Sequence, residues 1–291
     1  MSNLENINIF NFISGVIHCM SLICILASLI IFYTHTSLNC SRITIHKNMF
    51  LALGCNNFFW ISLYTMVYIL GDQLIDSLIW CRLLYMVTTY FMMSTYFWML
   101  CEGIFLRILL DFMVIPNEGS LVKSLVILGW VGPLVVVTPY FLHKYYYENE
   151  FCWMDQGWSN HILGIPTACI LLINTAIVIS VMWKMKKRNV EHQNSSQTNY
   201  AKAILVLMTI FGLQYMLLPF RPQHGTVLEK IYEAISCIVT STQGMVMSIL
   251  LCFTNSEVKN ILKRRYRRST VVMELQIMDR RDNSQSFNHS N

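Results

Sequence analysis

Glu102 is the residue best placed to do chemistry, because it interrupts an otherwise apolar and aromatic stretch, Tyr96-Phe97-Trp98-Met99-Leu100-Cys101-Glu102-Gly103. The surrounding run, Ile79–Leu110, is long enough at about 1.5 Å per residue to cross a hydrocarbon core of about 30 Å. An ionised carboxylate at such depth costs roughly 2.5–3.5 kcal/mol even on the lenient insertion scale. It is expected to face a partner or a watered interior rather than lipid. His46 is the candidate partner. It opens the preceding apolar stretch, in Arg42-Ile43-Thr44-Ile45-His46-Lys47-Asn48, and reaches a similar depth if successive stretches run antiparallel. Arg42 lies four residues earlier, on the same helical face. Two readings stand: a polar lock that joins two helices, or three side chains that snorkel at the headgroup boundary.

The elements that must position these groups follow from composition. Of 291 residues, 55% are hydrophobic and only 13% charged, with a mean hydropathy of +0.47. Soluble domains carry about 25% charged residues. Seven apolar stretches have spanning length, numbered here spans one to seven: Ile9–Tyr33, Ile45–Leu70, Ile79–Leu110, Leu121–Leu142, His161–Met185, Ala201–Pro219 and Ile231–Phe253. So little lies outside them that a separate soluble domain is excluded. The expected fold is an all-α membrane protein, with a short amino terminus (1–8), a seven-helix bundle (9–253), an amphipathic surface helix (254–268) and a polar, disordered tail (269–291). A cleavable signal is not expected, since span one is too long for a signal core and lacks a basic leader.

Lys and Arg in short loops set orientation. One side collects Arg42, Lys47, Arg107, Lys123, Lys184, Lys186, Lys187, Arg188 and Lys202, and then the basic segment from Lys259 to Arg268. The other side holds Asp72, Asp76, Glu148, Glu150 and Asp155 against few cations. This places the amino terminus outside and the carboxyl terminus in the cytosol. The net charge of +5 then reads as attraction to inner-leaflet lipids, not to nucleic acid. Most of the ten cysteines fall within spans as small apolar residues, whereas Cys81 and Cys152 fall on the oxidising side, where a disulfide is possible. The sequons at Asn39, Asn194 and Asn288 lie on the cytosolic side and should carry no glycan.

Asn56, Gln214 and Gln243 lie deep in spans two, six and seven, with Asn174 in span five. Each could be interhelical glue or a ligand contact. Gly129 and Gly132 in Gly129-Trp130-Val131-Gly132-Pro133 suit close helix packing. Span six carries Gly212 and ends in Leu218-Pro219-Phe220-Arg221-Pro222, so it either bends at Gly212 or holds a static kink. Beyond span seven, Val258, Ile261, Leu262 and Tyr266 line one apolar stripe among basic residues, the pattern of an interfacial helix. There is no case for an enzyme: no metal cluster, nucleophile–base pair or phosphate loop stands out, and no cofactor is expected.

The chain resembles the seven-helix portion of secretin-type (class B) G-protein-coupled receptors, and within them the calcitonin receptor group. The matching pieces include Ile45-His46-Lys47-Asn48-Met49-Phe50, Tyr96 to Gly103, Gly129-Trp130, Cys152-Trp153, Gly212-Leu213-Gln214, Pro219-Phe220-Arg221-Pro222, Gln243-Gly244 and Asn255-Ser256-Glu257-Val258. The resemblance implies a plasma-membrane receptor that transmits peptide-hormone binding to a heterotrimeric G protein. It implies a cytosolic-side polar lock at His46 and Glu102, a central network at Gln214 and Gln243, a peptide-facing Asn56, and a Cys81–Cys152 bridge.

Four positions depart from the family. Thr209 stands where the span-six bend has proline, Ile204 replaces the lock's threonine, Leu251 replaces a tyrosine in span seven, and Thr95 replaces an asparagine in span three. Only about eight residues precede span one, where the family carries a hormone-capturing domain. Either the chain is partial, or it does not capture hormone by the family's two-site route. The alternative function is a signalling-impaired decoy or partner derived from such a receptor. A transporter is disfavoured, because no internal repeat and only one deep carboxylate are present.

Overall fold

A helix satisfies all its own backbone donors and acceptors, so in lipid it is the natural state of each apolar stretch. The computed structural model describes residues 2–34, 40–70, 78–112, 117–148, 151–153, 157–191, 227–254 and 258–260, with Lys263 and Arg267. Among these every regular element is helical, as expected for an all-α membrane protein. Span one lies in the helix Ser2–Thr34, span two in Ser41–Leu70, span three in Leu78–Phe112, span four in Glu118–Tyr147 and span five in Asn160–Glu191, while span seven is divided between the helix Val227–Ser248 and the π-helical turn Ile249–Phe253. In spans one to five the helices reach or outrun the apolar stretches, because the hydrogen-bond ladder continues past the hydrocarbon into polar turns. Pro133, Pro139 and Pro166 are held inside the span-four and span-five helices without ending them. All of span six, including Ile204, Thr209, Gly212 and Gln214, lies outside the described residues.

Four described helices are long and apolar enough to cross a membrane: Phe12–Thr34, Ile79–Phe112, Glu118–Tyr147 and Asn160–Lys184. Their outward faces are apolar, with Ile23, Ile30, Val135, Ile165 and Trp183 all exposed, as a lipid-facing surface requires. Span three differs. Its apolar window is 67% buried, against 22–28% for the other three, which makes it the central post of the bundle. It packs on spans two, four and five, while span one packs on spans two and seven. The core between spans three, four and five is built on Met93, Tyr96, Phe97, Leu100, Val137, Ile170 and Leu171.

The chain forms two compact units, Met1–Ser248 and Ile249–Asn291. The second begins with a π-helical turn, Ile249–Phe253, in which the Thr254 amide donates to the Ile249 carbonyl at 2.8 Å. Further on, Val258 is buried while Lys259, Lys263 and Arg267, spaced four residues apart on one helical face, are exposed.

Candidate functional site: a polar seam inside the bundle

Span two begins at the end of the bundle where span three finishes, so residues near those termini meet at one depth. His46 and Glu102 do meet: Nδ1 and Oε2 are 3.2 Å apart, and the residues are 3% and 6% exposed. The separation is within ion-pair range, but the approach is off the axis a hydrogen bond needs. Phe32 of span one stacks on the imidazole, with centroids 6.5 Å apart and planes 21° from parallel. Three spans thus close around one buried carboxylate. Arg42 sits half-buried one turn before His46 on the span-two helix.

Gln243 is buried in span seven and its Nε2 donates to Met99 Sδ of span three at 3.3 Å. Met99 lies one turn before Glu102, so the amide adds span seven to the same seam. Next to Gln243, Gly244 admits span one closely: a Cβ there would meet Ile25 and Ser21. Thr95, in the position of the family's asparagine, turns its hydroxyl to its own helix, donating to the Met92 carbonyl at 2.7 Å. Asn56 is buried and its Oδ1 has no partner among the described residues. Gln214, Thr209 and Gly212 are outside those residues, so their relation to the seam is not described.

Cys81 and Cys152 form a disulfide, with Cα atoms 5.7 Å apart, which ties span three to the 3-10 turn Phe151–Trp153. Gly129 and Gly132 admit neighbours closely: a Cβ on either would lie 2.5 Å from the rings of Trp98 and Phe97 respectively. The same crossing is bonded, with Ser94 Oγ donating to the Gly129 carbonyl at 3.2 Å, and Trp130 Nε1 ties span four to span two by donating to Asn48 Oδ1 at 3.1 Å. Among the described residues no cluster of metal-ligating side chains occurs.

Sequence reasoning passed over three groups. His18 is buried in span one, and its Nδ1–H donates to Asn57 Oδ1 at 2.7 Å while its ring lies near Trp60 and Tyr64. An ionisable side chain within a span was the available signal. Lys144 and Glu148 pair at 2.9 Å near the disulfide, and their four-residue spacing was legible. At the opposite end Asp111 is bridged by Arg107, its own i−4 neighbour, and by Lys184 of span five. The last contact needed the packing of spans three and five, which no local pattern supplies.

Comparison with known proteins identifies the family. Residues 7–247, which contain all of the seam, match the family model described as 7 transmembrane receptor (Secretin family). The calcitonin receptor of Cavia porcellus is 32% identical over 269 residues, covering 90% of this chain and 55% of that protein. The calcitonin gene-related peptide type 1 receptor of Danio rerio is 34% identical over 254 residues, covering 86% and 53%. The human calcitonin receptor is 30% identical over 269 residues, covering 90% and 56%. The chain spans about half the length of these curated relatives. With a helical membrane bundle whose buried polar groups are strung between spans one, two, three and seven, and a family match that runs through all of them, the chain belongs to the secretin family of seven-transmembrane receptors.

Proposed function

We propose that this chain is a plasma-membrane receptor that passes the binding of an extracellular, calcitonin-like peptide to a heterotrimeric G protein. The observation that carries the reading is the buried His46–Glu102 pair, which joins spans two and three near one end of the bundle. A carboxylate in that setting is expensive unless the protein uses the pairing, and a pairing between two helices is a natural bistable contact. In this reading the disulfide end faces outward and the Arg42 end faces the cytosol. The basic residues of the first, third and fifth gaps and of the 259–268 segment support that orientation. His46, Glu102 and Arg42 serve as the state-selecting lock, while Asn56, Gln243 and Gln214 face the peptide. Gly212, with Thr209 one turn before it, is the bend of span six, and the helix after span seven rests on inner-leaflet lipid. Family membership favours this reading over a signalling-impaired partner.

The test expresses the chain with tags at both ends in cells. An amino-terminal tag reachable on intact cells and a carboxyl-terminal tag reachable only after permeabilisation are expected. Calcitonin and calcitonin gene-related peptide are then applied, and G-protein activation is read per surface receptor. Activation above empty cells, basal or peptide-driven, is the expected result. Well-expressed surface protein that engages no G protein in either condition would overturn the proposal.

A further inference from the structure

We propose that Arg107 and Lys184 form a binding site for the phosphate of a membrane phospholipid, with Asp111 holding the two cations in place. The site is built where two spans finish together. Asp111 lies in the last turn of the span-three helix Leu78–Phe112, and Lys184 is the last residue of the apolar part of span five, Asn160–Lys184. The two spans run in the same direction and stay in register up to that point. A Cβ on Gly103 would meet Asn174 and Ile177, and further along Val178 and Val181 are buried against Leu106 and Leu110. This seam is apolar, and lipid is no less so, which leaves packing alone a weak reason to prefer one register. Asp111 pins the end of it. Its Oδ1 accepts from Arg107 Nη1, one turn earlier on the same helix, at 2.5 Å, and from Lys184 Nζ of span five.

Both bonds go to one oxygen. Two cations are therefore drawn together over a single anion, and their mutual repulsion is only partly offset. A guanidinium carries five N–H donors and an ammonium three, so one bond to Asp111 leaves each with donors for a second anion. Among the described residues neither side chain meets one.

The surroundings say which anion it is. Arg107, Asp111 and Lys184 are about a third exposed, so the charges reach the surface of the bundle. Phe112 and Trp183, the sequence neighbours of Asp111 and Lys184, are 60% and 78% exposed. Aromatic rings turned outward at the end of a spanning helix sit at the headgroup boundary. The anion that every phospholipid brings to that depth is its phosphate. An arginine fork grips phosphate through parallel bonds, and a neighbouring lysine adds a point charge. Because Asp111 already orders both long side chains, the phosphate meets a formed site and not two loose ones. The inference needs the membrane bundle but neither the peptide nor the G protein.

Native mass spectrometry of the full chain in detergent, disulfide intact, tests it. The probes are dioleoylphosphatidylglycerol, dioleoylglycerol (the same tails without phosphate) and inorganic phosphate. Arg107→Gln/Lys184→Gln should weaken the tightest phosphatidylglycerol binding by roughly tenfold, the size of two exposed ion pairs, and leave dioleoylglycerol binding unchanged. Asp111→Asn should tighten phosphatidylglycerol binding by roughly threefold, since the amide carbonyl still accepts from both cations while the opposing charge is gone. Parent-like phosphatidylglycerol binding in the double variant would overturn the site. So would an equal loss of dioleoylglycerol binding, or displacement of the lipid by equimolar inorganic phosphate. Equal or weaker phosphatidylglycerol binding by Asp111→Asn also overturns it, and that variant alone decides if the double variant fails to fold.

Discussion

Truncating Glu102 is the perturbation whose size the structure sets most directly. In Glu102→Ala, His46 Nδ1 keeps its burial and loses the carboxylate at 3.2 Å. The contact is not a hydrogen bond, and side chains in direct contact couple by about 0.5–3 kcal/mol. The lost methylenes add roughly 0.8 kcal/mol each, so the total is about 2–4 kcal/mol. Glu102→Gln keeps the volume and a carbonyl acceptor and loses only the excess of a charged over a neutral partner, about 1 kcal/mol. With the scaling of chains of 150–250 residues, about 2–4 °C per kcal/mol, melting should fall by roughly 5–15 °C for the alanine and about 2–4 °C for the glutamine. The thiol of Cys101 is buried next to Glu102, so the rate of its alkylation during a thermal ramp reports the opening of this site. An alanine variant that melts within a degree of the parent would refute the reasoning. The two groups would then share a space without sharing energy. A cycle with His46→Ala separates the pair from the side chains themselves, and coupling above about 1 kcal/mol is expected. At the level of signalling, Ile204 has no hydrogen-bonding side chain to continue a lock into span six. Glu102→Gln should therefore change surface expression or stability more than basal output, and a large rise in basal activation at equal expression would contradict this.

Gly129→Val should destabilise the bundle by about 1–3 kcal/mol, since the added carbons meet the buried Trp98 ring, and a variant with unchanged melting temperature would count against that contact. Burial favours the neutral form of Glu148, but donation from Ser159 and Lys144 outweighs it and holds the carboxyl down at about 2. The stability it contributes is present above the ordinary value of 4.5 and is lost as pH falls from there towards 2, so parent and Glu148→Gln should converge in melting temperature below about pH 4.5 and differ by a constant amount above it. Thr209→Pro, which restores the family's helix breaker, should raise G-protein output per surface receptor, because a mid-helix proline costs a straight helix about 3 kcal/mol and eases bending; equal or lower output from a well-expressed variant would sink that argument.

The bundle was legible because hydrocarbon leaves few options: an apolar run of spanning length becomes a helix, and a deep carboxylate needs a partner. The pairing of His46 and Glu102 is legible in the sequence because antiparallel spans place the start of one beside the end of the next. The polar ends of the helices were less legible, since the ladder runs past the point where hydropathy stops. Span two shows why. The described helix begins at Ser41, four residues before its apolar run. Lys144 was invisible as a buried residue because hydropathy places it at the membrane boundary, where lysines usually reach water. Its i+4 partner Glu148 is local; what the fold adds is Ser159, which donates to the Glu148 carboxylate.

The amides of span two show the limit of spacing arguments more sharply. Asn56 and Asn57 are adjacent, so on a helix they point about 100° apart and cannot share a role. The sequence offers no reason to prefer one, and family resemblance pointed to Asn56 as the peptide-facing residue. In the structure both ends of the Asn57 amide are bonded: its oxygen accepts from His18 and its Nδ2 donates to the Leu53 carbonyl at 2.8 Å. Asn56 Oδ1 is buried with no partner among the described residues. A buried carbonyl without a donor is costly, and a protein keeps one where something else supplies the donor. The two neighbours therefore divide the work by register: Asn57 joins span two to span one, and Asn56 is left with an acceptor to offer. Replacing Asn57 should loosen the bundle, while replacing Asn56 should leave it standing and remove that acceptor.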